Sequence, residues 1–165
     1  MFLKTHLLES LMKKLLLIPL LGISAYANAV PNFWSYEFSH GFDDFIIENP
    51  KKQSLYIHCN STATEQDDHS VTFMAGRKSY SSTDQGQLSL LLNSNVQVDI
   101  PSETVSYRNS LAWDKFRQQL AKAKRIEVFF NNKKLGEFSV NPNSNKNIKS
   151  ISKDSCEPMI YHSVS

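Results

Sequence analysis

Residues 113–130 read Trp113-Asp114-Lys115-Phe116-Arg117-Gln118-Gln119-Leu120-Ala121-Lys122-Ala123-Lys124-Arg125-Ile126-Glu127-Val128-Phe129-Phe130, and their hydrophobic period changes part-way along. Trp113, Phe116, Leu120 and Ala123 recur at spacings of three and four, with Lys115, Arg117, Lys122 and Lys124 on the other faces. That spacing predicts an amphipathic helix opening after Asn109 or Ser110, either of which can cap it. Basic residues near its C-terminal end suit the helix dipole. From Ile126 the run is β-rich. Asn131-Asn132-Lys133-Lys134 then turns it into Leu135-Gly136-Glu137-Phe138-Ser139-Val140, so a hairpin follows the helix.

Upstream, Leu88–Leu92 and Val96–Ile100 are joined by Asn93-Ser94-Asn95, a second hairpin, and Pro101 ends it. Before these, residues 32–39 alternate loosely, His40–Asp44 turn, and Phe45–Glu48 form a short β-rich run. After the turn Asn49–Lys52 comes Ser54–Cys59, which puts Leu55, Ile57 and Cys59 on one apolar face. Residues 61–69 read as a polar loop, Val71–Ala75 as a strand, and Arg77–Gln87 as a polar stretch whose only large apolar side chain is Tyr80. Downstream, Pro142 breaks the pattern and Asn143–Ser155 suits a short helix with Ile148 and Ile151 inward.

The expected fold is therefore a β-rich α+β domain over residues 30–156. It has an antiparallel sheet or sandwich of six to eight short strands, one amphipathic helix packed on it and a short C-terminal helix. Residues 157–165 read as a flexible tail.

The N-terminus carries an address. Met12-Lys13-Lys14 precede an apolar run of roughly ten residues that ends in Ala27-Asn28-Ala29, a small-x-small cleavage pattern. A run that short does not span a bilayer, which takes about twenty apolar residues. Residues 1–29 are thus expected to be a signal peptide, either starting at Met12 or carrying a long n-region from Met1, leaving no transmembrane anchor after cleavage. The expected location is periplasmic or secreted. A composition rich in Asn, Ser and Lys and poor in Gly suits an AT-rich bacterial genome, where the sequon at Asn60-Ser61-Thr62 is a chance match.

The leader holds Lys4, Lys13 and Lys14 against Glu9, so of 18 basic and 16 acidic residues the remainder is balanced. Such a balance argues against a nucleic-acid partner. The charge is nevertheless polarised. Residues 30–107 are acidic, whereas residues 108–153 hold eleven cationic side chains against Asp114, Glu127 and Glu137. The plain reading is two solvated faces; the functional one is a basic face for an anionic partner.

The two cysteines, Cys59 and Cys156, are expected to pair in an oxidising compartment, closing a loop worth about 4 kcal/mol. A nucleophilic Cys59 is disfavoured, since His58 points to the opposite strand face. No catalytic constellation stands out, no short-spaced histidine pair suits zinc, and Asp67-Asp68-His69 with Asp43 and Asp44 is only a weak metal candidate. There is no G-x-S-x-G elbow and no glycine-rich phosphate loop. Neither an enzymatic activity nor a cofactor or metal is expected.

Aromatics crowd the start of the domain. Phe33, Trp34, Tyr36, Phe38, Phe42 and Phe45 either pack in the core or present a patch that anchors a partner. With the helix lysines, the candidate partner-binding residues are Phe33, Trp34, Tyr36, Phe42, Lys115 and Lys122.

The element order over residues 88–156 resembles the exported invasion-associated locus B family of bacteria. The basic Trp113–Lys124 helix leads into the strand Arg125–Phe130, the strand Gly136–Val140, a short helical stretch and a terminal cysteine. Trp34 here lacks the neighbouring cysteine of that family. The resemblance implies a small periplasmic β-rich domain with an envelope or host-contact role. It contributes no catalytic residues. The expected function is an exported non-enzymatic accessory or binding protein of the envelope with an unidentified protein partner. The alternative is a periplasmic immunity or inhibitor protein that blocks a toxin or hydrolase.

Overall fold

Alternation in the first half of the chain becomes a meander. In the computed structural model, which describes residues 30–62, 67–153 and 155–161, five strands follow one another antiparallel: β1 (Ser35–Ser39), β2 (Phe42–Glu48), β3 (Gln53–Asn60), β4 (Ser70–Ala75) and β5 (Lys78–Ser81). The signal peptide, with either start, lies outside the described residues. The β1–β2 turn is only His40-Gly41, both at positive φ, the geometry that matches the twist of paired strands. β2 therefore starts at Phe42, inside the stretch whose composition reads as a turn.

A second antiparallel sheet has the order β7-β6-β8-β9, from β6 (Leu88–Leu92), β7 (Val96–Asp99), β8 (Arg125–Phe130) and β9 (Lys133–Ser139). Helix α1 (Tyr107–Leu120) connects β7 to β8, and α2 (Asn145–Lys149) lies between two 3-10 turns near the C-terminus. The β-rich antiparallel class holds, with the strands divided between two sheets.

The described residues form nine strands where six to eight are expected, because β5 occupies part of the polar stretch 77–87. An edge strand needs little apolar content: Tyr80, opposite Phe73, rests on Phe130 with ring centroids 5.2 Å apart. One continuous core joins both sheets and α1, through Phe45, Leu55, Ile57, Phe73, Leu90, Val128, Phe138 and the helix residues Trp113, Phe116 and Leu120. Phe73 meets Phe138 edge-on at 6.3 Å across the layers. Close approach there needs Gly136, since a Cβ on it would sit 2.8 Å from the Phe73 ring.

Helix α1 opens three residues earlier than expected, and neither Asn109 nor Ser110 caps it. Glu103 folds under its first turn instead, accepting the Val105 and Ser106 N–H groups and the Ser106 hydroxyl and Asn109 amide. Burial alone would raise the Glu103 carboxyl. The hydrogen bonds from Ser106, Asn109 and Val105 outweigh it and hold the group below the usual carboxylate range. A negative charge at a helix N-terminus is also where the dipole favours one.

Arg117 is not on a solvated face. It is 5% exposed, donating from Nε to the Ile151 carbonyl at 2.7 Å and pairing with Asp114 at 2.8 Å. Ile148 and Ile151 turn inward as their spacing implies, at 1% and 0% exposed, and so bring the Ile151 carbonyl to the helix.

Cys59 and Cys156 form a disulfide, both fully buried. A buried polar node surrounds it. Trp113 Nε1 donates to the Cys156 carbonyl at 2.8 Å and the Trp113 ring stacks on His69 at 5.1 Å. His69 Nδ1 accepts the Asn60 N–H at 3.0 Å and so must carry its proton on Nε2, which donates to the Glu157 carbonyl at 2.5 Å. Asp68 accepts the Thr104 N–H and hydroxyl. Cys156 takes φ +64°, rare for a non-glycine residue, because its side chain, its carbonyl and the next carbonyl are all held.

The tail expectation is corrected for residues 157–161. Met159 is 6% exposed, and Met159 and Ile160 donate their N–H groups to Thr104. Residues 162–165 lie outside the described residues. No helix among the described residues is long and apolar enough to cross a membrane.

Candidate functional site

Five of the six sequence candidates fall in four places at the surface. Trp34 is in none of them as a surface group: it is fully buried, because the residue before β1 points into the core and its carbonyl accepts the Asn147 amide. Trp34 as a partner-binding residue is therefore withdrawn. Phe33 is half-buried beside Val30, Ile46 and Tyr56, around a shallow depression of about 290 Å³. Phe42 is half-buried and stacked on His58 at 4.3 Å. Tyr36 is 47% exposed on β1, where Phe38, which the aromatic crowding also singles out, is 55% exposed. Lys115 is exposed on α1 and Lys122 is exposed in the turn just after it.

The strongest arrangement is on β1. This strand is an edge, paired with β2 alone, in the register Tyr36↔Phe45 and Phe38↔Asp43. Directly paired residues share a face. Tyr36 and Phe38 therefore stand on the same side as Phe45, Ile57 and Cys59, which is the core side of the sheet. They are exposed because they overhang the core at its margin. The Tyr36 ring leans on Phe45 at 5.2 Å, and its hydroxyl donates to Asp43 Oδ1 at 2.6 Å. Asp43 is 5% exposed, and its second oxygen accepts the Ser61 hydroxyl. Tyr36 is thus an amphipathic group held in one orientation, and an edge strand has backbone groups free for another chain.

The same hydrogen bond makes Tyr36 titratable evidence. The bond to Asp43, with burial and the Asp43 charge behind it, raises the Tyr36 hydroxyl from 10 to about 12. A folded-state value above the unfolded one means that this contact stabilises the fold fully below about pH 10 and fades as pH rises through about 12. A tyrosinate absorbance titration should show one tyrosine ionising late, and Tyr36→Phe should remove that late step alone. A late step that survives in Tyr36→Phe would assign the raised group elsewhere.

On the outer face, Asp44, His58 and Ser70 stand in one row across β2, β3 and β4, with His58 Nδ1 2.6 Å from Asp44 Oδ1. The order is acid, imidazole, hydroxyl. Ser70 makes no hydrogen bond with His58, however, and the N–H groups of β3 are engaged in ladders on both sides, so no oxyanion donors converge there. The metal candidate dissolves in a similar way: Asp68, His69 and Asp43 face internal partners, and no group of three ligating side chains is assembled among the described residues. Asn60, the sequon asparagine, is 2% exposed and its amide donates to the Asp67 carbonyl.

Composition alone could not separate Trp34 from Tyr36, since both sit in one aromatic cluster. Strand parity would have placed Tyr36 and Phe38 together on one face.

A protein-family model described as YfjT matches residues 32–146, the span from just before β1 to the start of α2. The uncharacterized protein YfjT of Escherichia coli (strain K12) is 29% identical over 117 residues, covering 68% of this chain and 75% of that protein. The uncharacterized protein YkfB of the same strain is 26% identical over 132 residues, covering 78% of this chain and 84% of that one. No solved structure matches.

Proposed function

The chain belongs to the YfjT family, and we propose that it acts as an exported, non-enzymatic accessory or binding protein of the bacterial envelope. Its protein partner docks along β1. The observation that carries this is the pair Tyr36 and Phe38, exposed on an edge strand, with Tyr36 oriented by Asp43. Amphipathic aromatics of this kind anchor interfaces, and an edge strand accepts an extended segment by backbone pairing. The buried disulfide supports an oxidising compartment, periplasmic or secreted, and the leader at residues 1–29 supports export. The element order over residues 88–156 supports kinship in role with the invasion-associated locus B proteins.

A second reading, a periplasmic immunity or inhibitor protein, draws on the same rigidity. A tyrosine locked by Asp43 is organised in advance for insertion into an enzyme's cleft. One experiment serves both. The protein is used as bait in extract of its source cell and neighbours, alongside Phe38→Ser. Phe38 is more than half exposed, so the variant should fold normally. Capture by the parent should fall at least roughly tenfold in the variant. A single stoichiometric hydrolase among the captured proteins would select the inhibitor reading, and envelope proteins the accessory one. Capture indifferent to Phe38→Ser would remove β1 from the interface.

A further inference from the structure

The solvent face of α1 combines cations with exposed apolar side chains and no free acid. Tyr107, Arg108, Leu111, Lys115 and Gln118 follow one another along this face, Lys122 continues it in the turn after the helix, and all six are exposed. Tyr107 is 70% and Leu111 49% exposed, with Val105 at 55% just before the helix. Tyr161, 55% exposed, is brought toward the same end because Ile160 N–H donates to the Thr104 carbonyl. Half of the eight large hydrophobic residues exposed among the described residues thus gather around the start of one helix, more than scattered exposure accounts for.

The cations of this face, Arg108, Lys115 and Lys122, outnumber the exposed acids at its margin, Asp99, which shares a depression with Arg108, and Glu157 of the C-terminal segment. Between Arg108 and Lys153 the described carboxylates are Asp114, Glu127 and Glu137, and each is in an ion pair, with Arg117 or with Arg125 and Lys134. Arg108, Lys115 and Lys122 have no such pair among the described residues. Glu103, next to the helix start, is turned into the first turn by its hydrogen bonds.

We propose that this face is a peripheral docking surface for an anionic phospholipid bilayer. Two of its three cations are lysines, compact charges on flexible stems, Lys115 on the helix and Lys122 in the turn after it. They suit mobile headgroup phosphates rather than the fixed fork geometry that arginine reads on a folded partner. Tyr107 and Leu111 lie among them, placed to enter the zone between headgroups and acyl chains, as on helices that bind membranes in the interface plane. The surface would hold the protein against a membrane while leaving β1 to its own partner.

The test is co-sedimentation of the full chain with phosphatidylglycerol-containing vesicles and with phosphatidylcholine vesicles, comparing the parent with K115E/K122E and with L111S. All three chains keep residues 1–29, so differences between them report the helix face. The substituted side chains are exposed, and an unchanged unfolding temperature verifies the fold. Binding to the anionic vesicles should weaken roughly thirtyfold in K115E/K122E, from the contribution of each lysine near an anionic surface. It should weaken several-fold in L111S, and added salt should reduce it. Equal binding of the parent to both vesicle types would overturn the proposal, as would binding unaffected by K115E/K122E. Loss of a co-purifying acidic protein in K115E/K122E, with vesicle binding intact, would assign the face to a protein instead.

Discussion

Trp113→Ala should lower the unfolding free energy by roughly 3–5 kcal/mol, the range for a large aromatic removed from a packed core. Trp113 is fully buried, touches Phe116 at 4.9 Å and His69 at 5.1 Å, and holds the Cys156 carbonyl. It therefore joins α1, the loop before β4 and the C-terminal segment. Trp113→Phe separates packing from hydrogen bonding. It keeps most of the ring contact but leaves the carbonyl without its donor, for an expected cost of about 1–3 kcal/mol. Urea unfolding followed by fluorescence can read this variant, since Trp34 remains as the single tryptophan. A cost near zero for Trp113→Ala would mean that α1 does not depend on this contact.

Removal of the disulfide should cost about 4–5 kcal/mol on the chain-entropy account, because Cys59 and Cys156 are 97 residues apart and the loop they close spans most of the domain. The double variant Cys59→Ala/Cys156→Ala isolates the cross-link, leaving no thiol to react. Its denaturation midpoint should fall well below that of the parent, and added dithiothreitol should not move it further. The parent should resist dithiothreitol without denaturant, since both sulfurs are buried and the reductant must wait for opening. Equal midpoints for parent and variant would show that the fold, and not the cross-link, sets the stability.

Much of the fold was legible because the residues that build it report locally. Trp113, Phe116 and Leu120 mark the buried face of α1 by spacing, and Ile148 and Ile151 do so for the C-terminal segment. Parity placed Cys59 with Leu55 and Ile57 on the buried side of β3, opposite His58, and the disulfide follows from that side. Where reading failed, the missing information was non-local. β5 is nearly all polar, and exists because an edge strand has to bury only Tyr80 against Phe130. Arg117 has a surface composition but a core position, because the Ile151 carbonyl and Asp114 meet its guanidinium. His69 was a weak metal candidate until Asn60 and Glu157 took both its nitrogens.

The candidate site divides the same way. Tyr36, Phe38 and Trp34 are equivalent aromatics in composition, yet two are half exposed and one is wholly buried. By itself the sequence determined the helix, the hairpins, the cysteine pair and the polarised charge, all of which depend on spacing or on counting residues. Only the tertiary structure decided which apolar side chains meet solvent and which polar ones meet a partner. Exposure depends on where the covering layer ends over β1 and α1, and that margin is set by contacts between residues far apart in the chain.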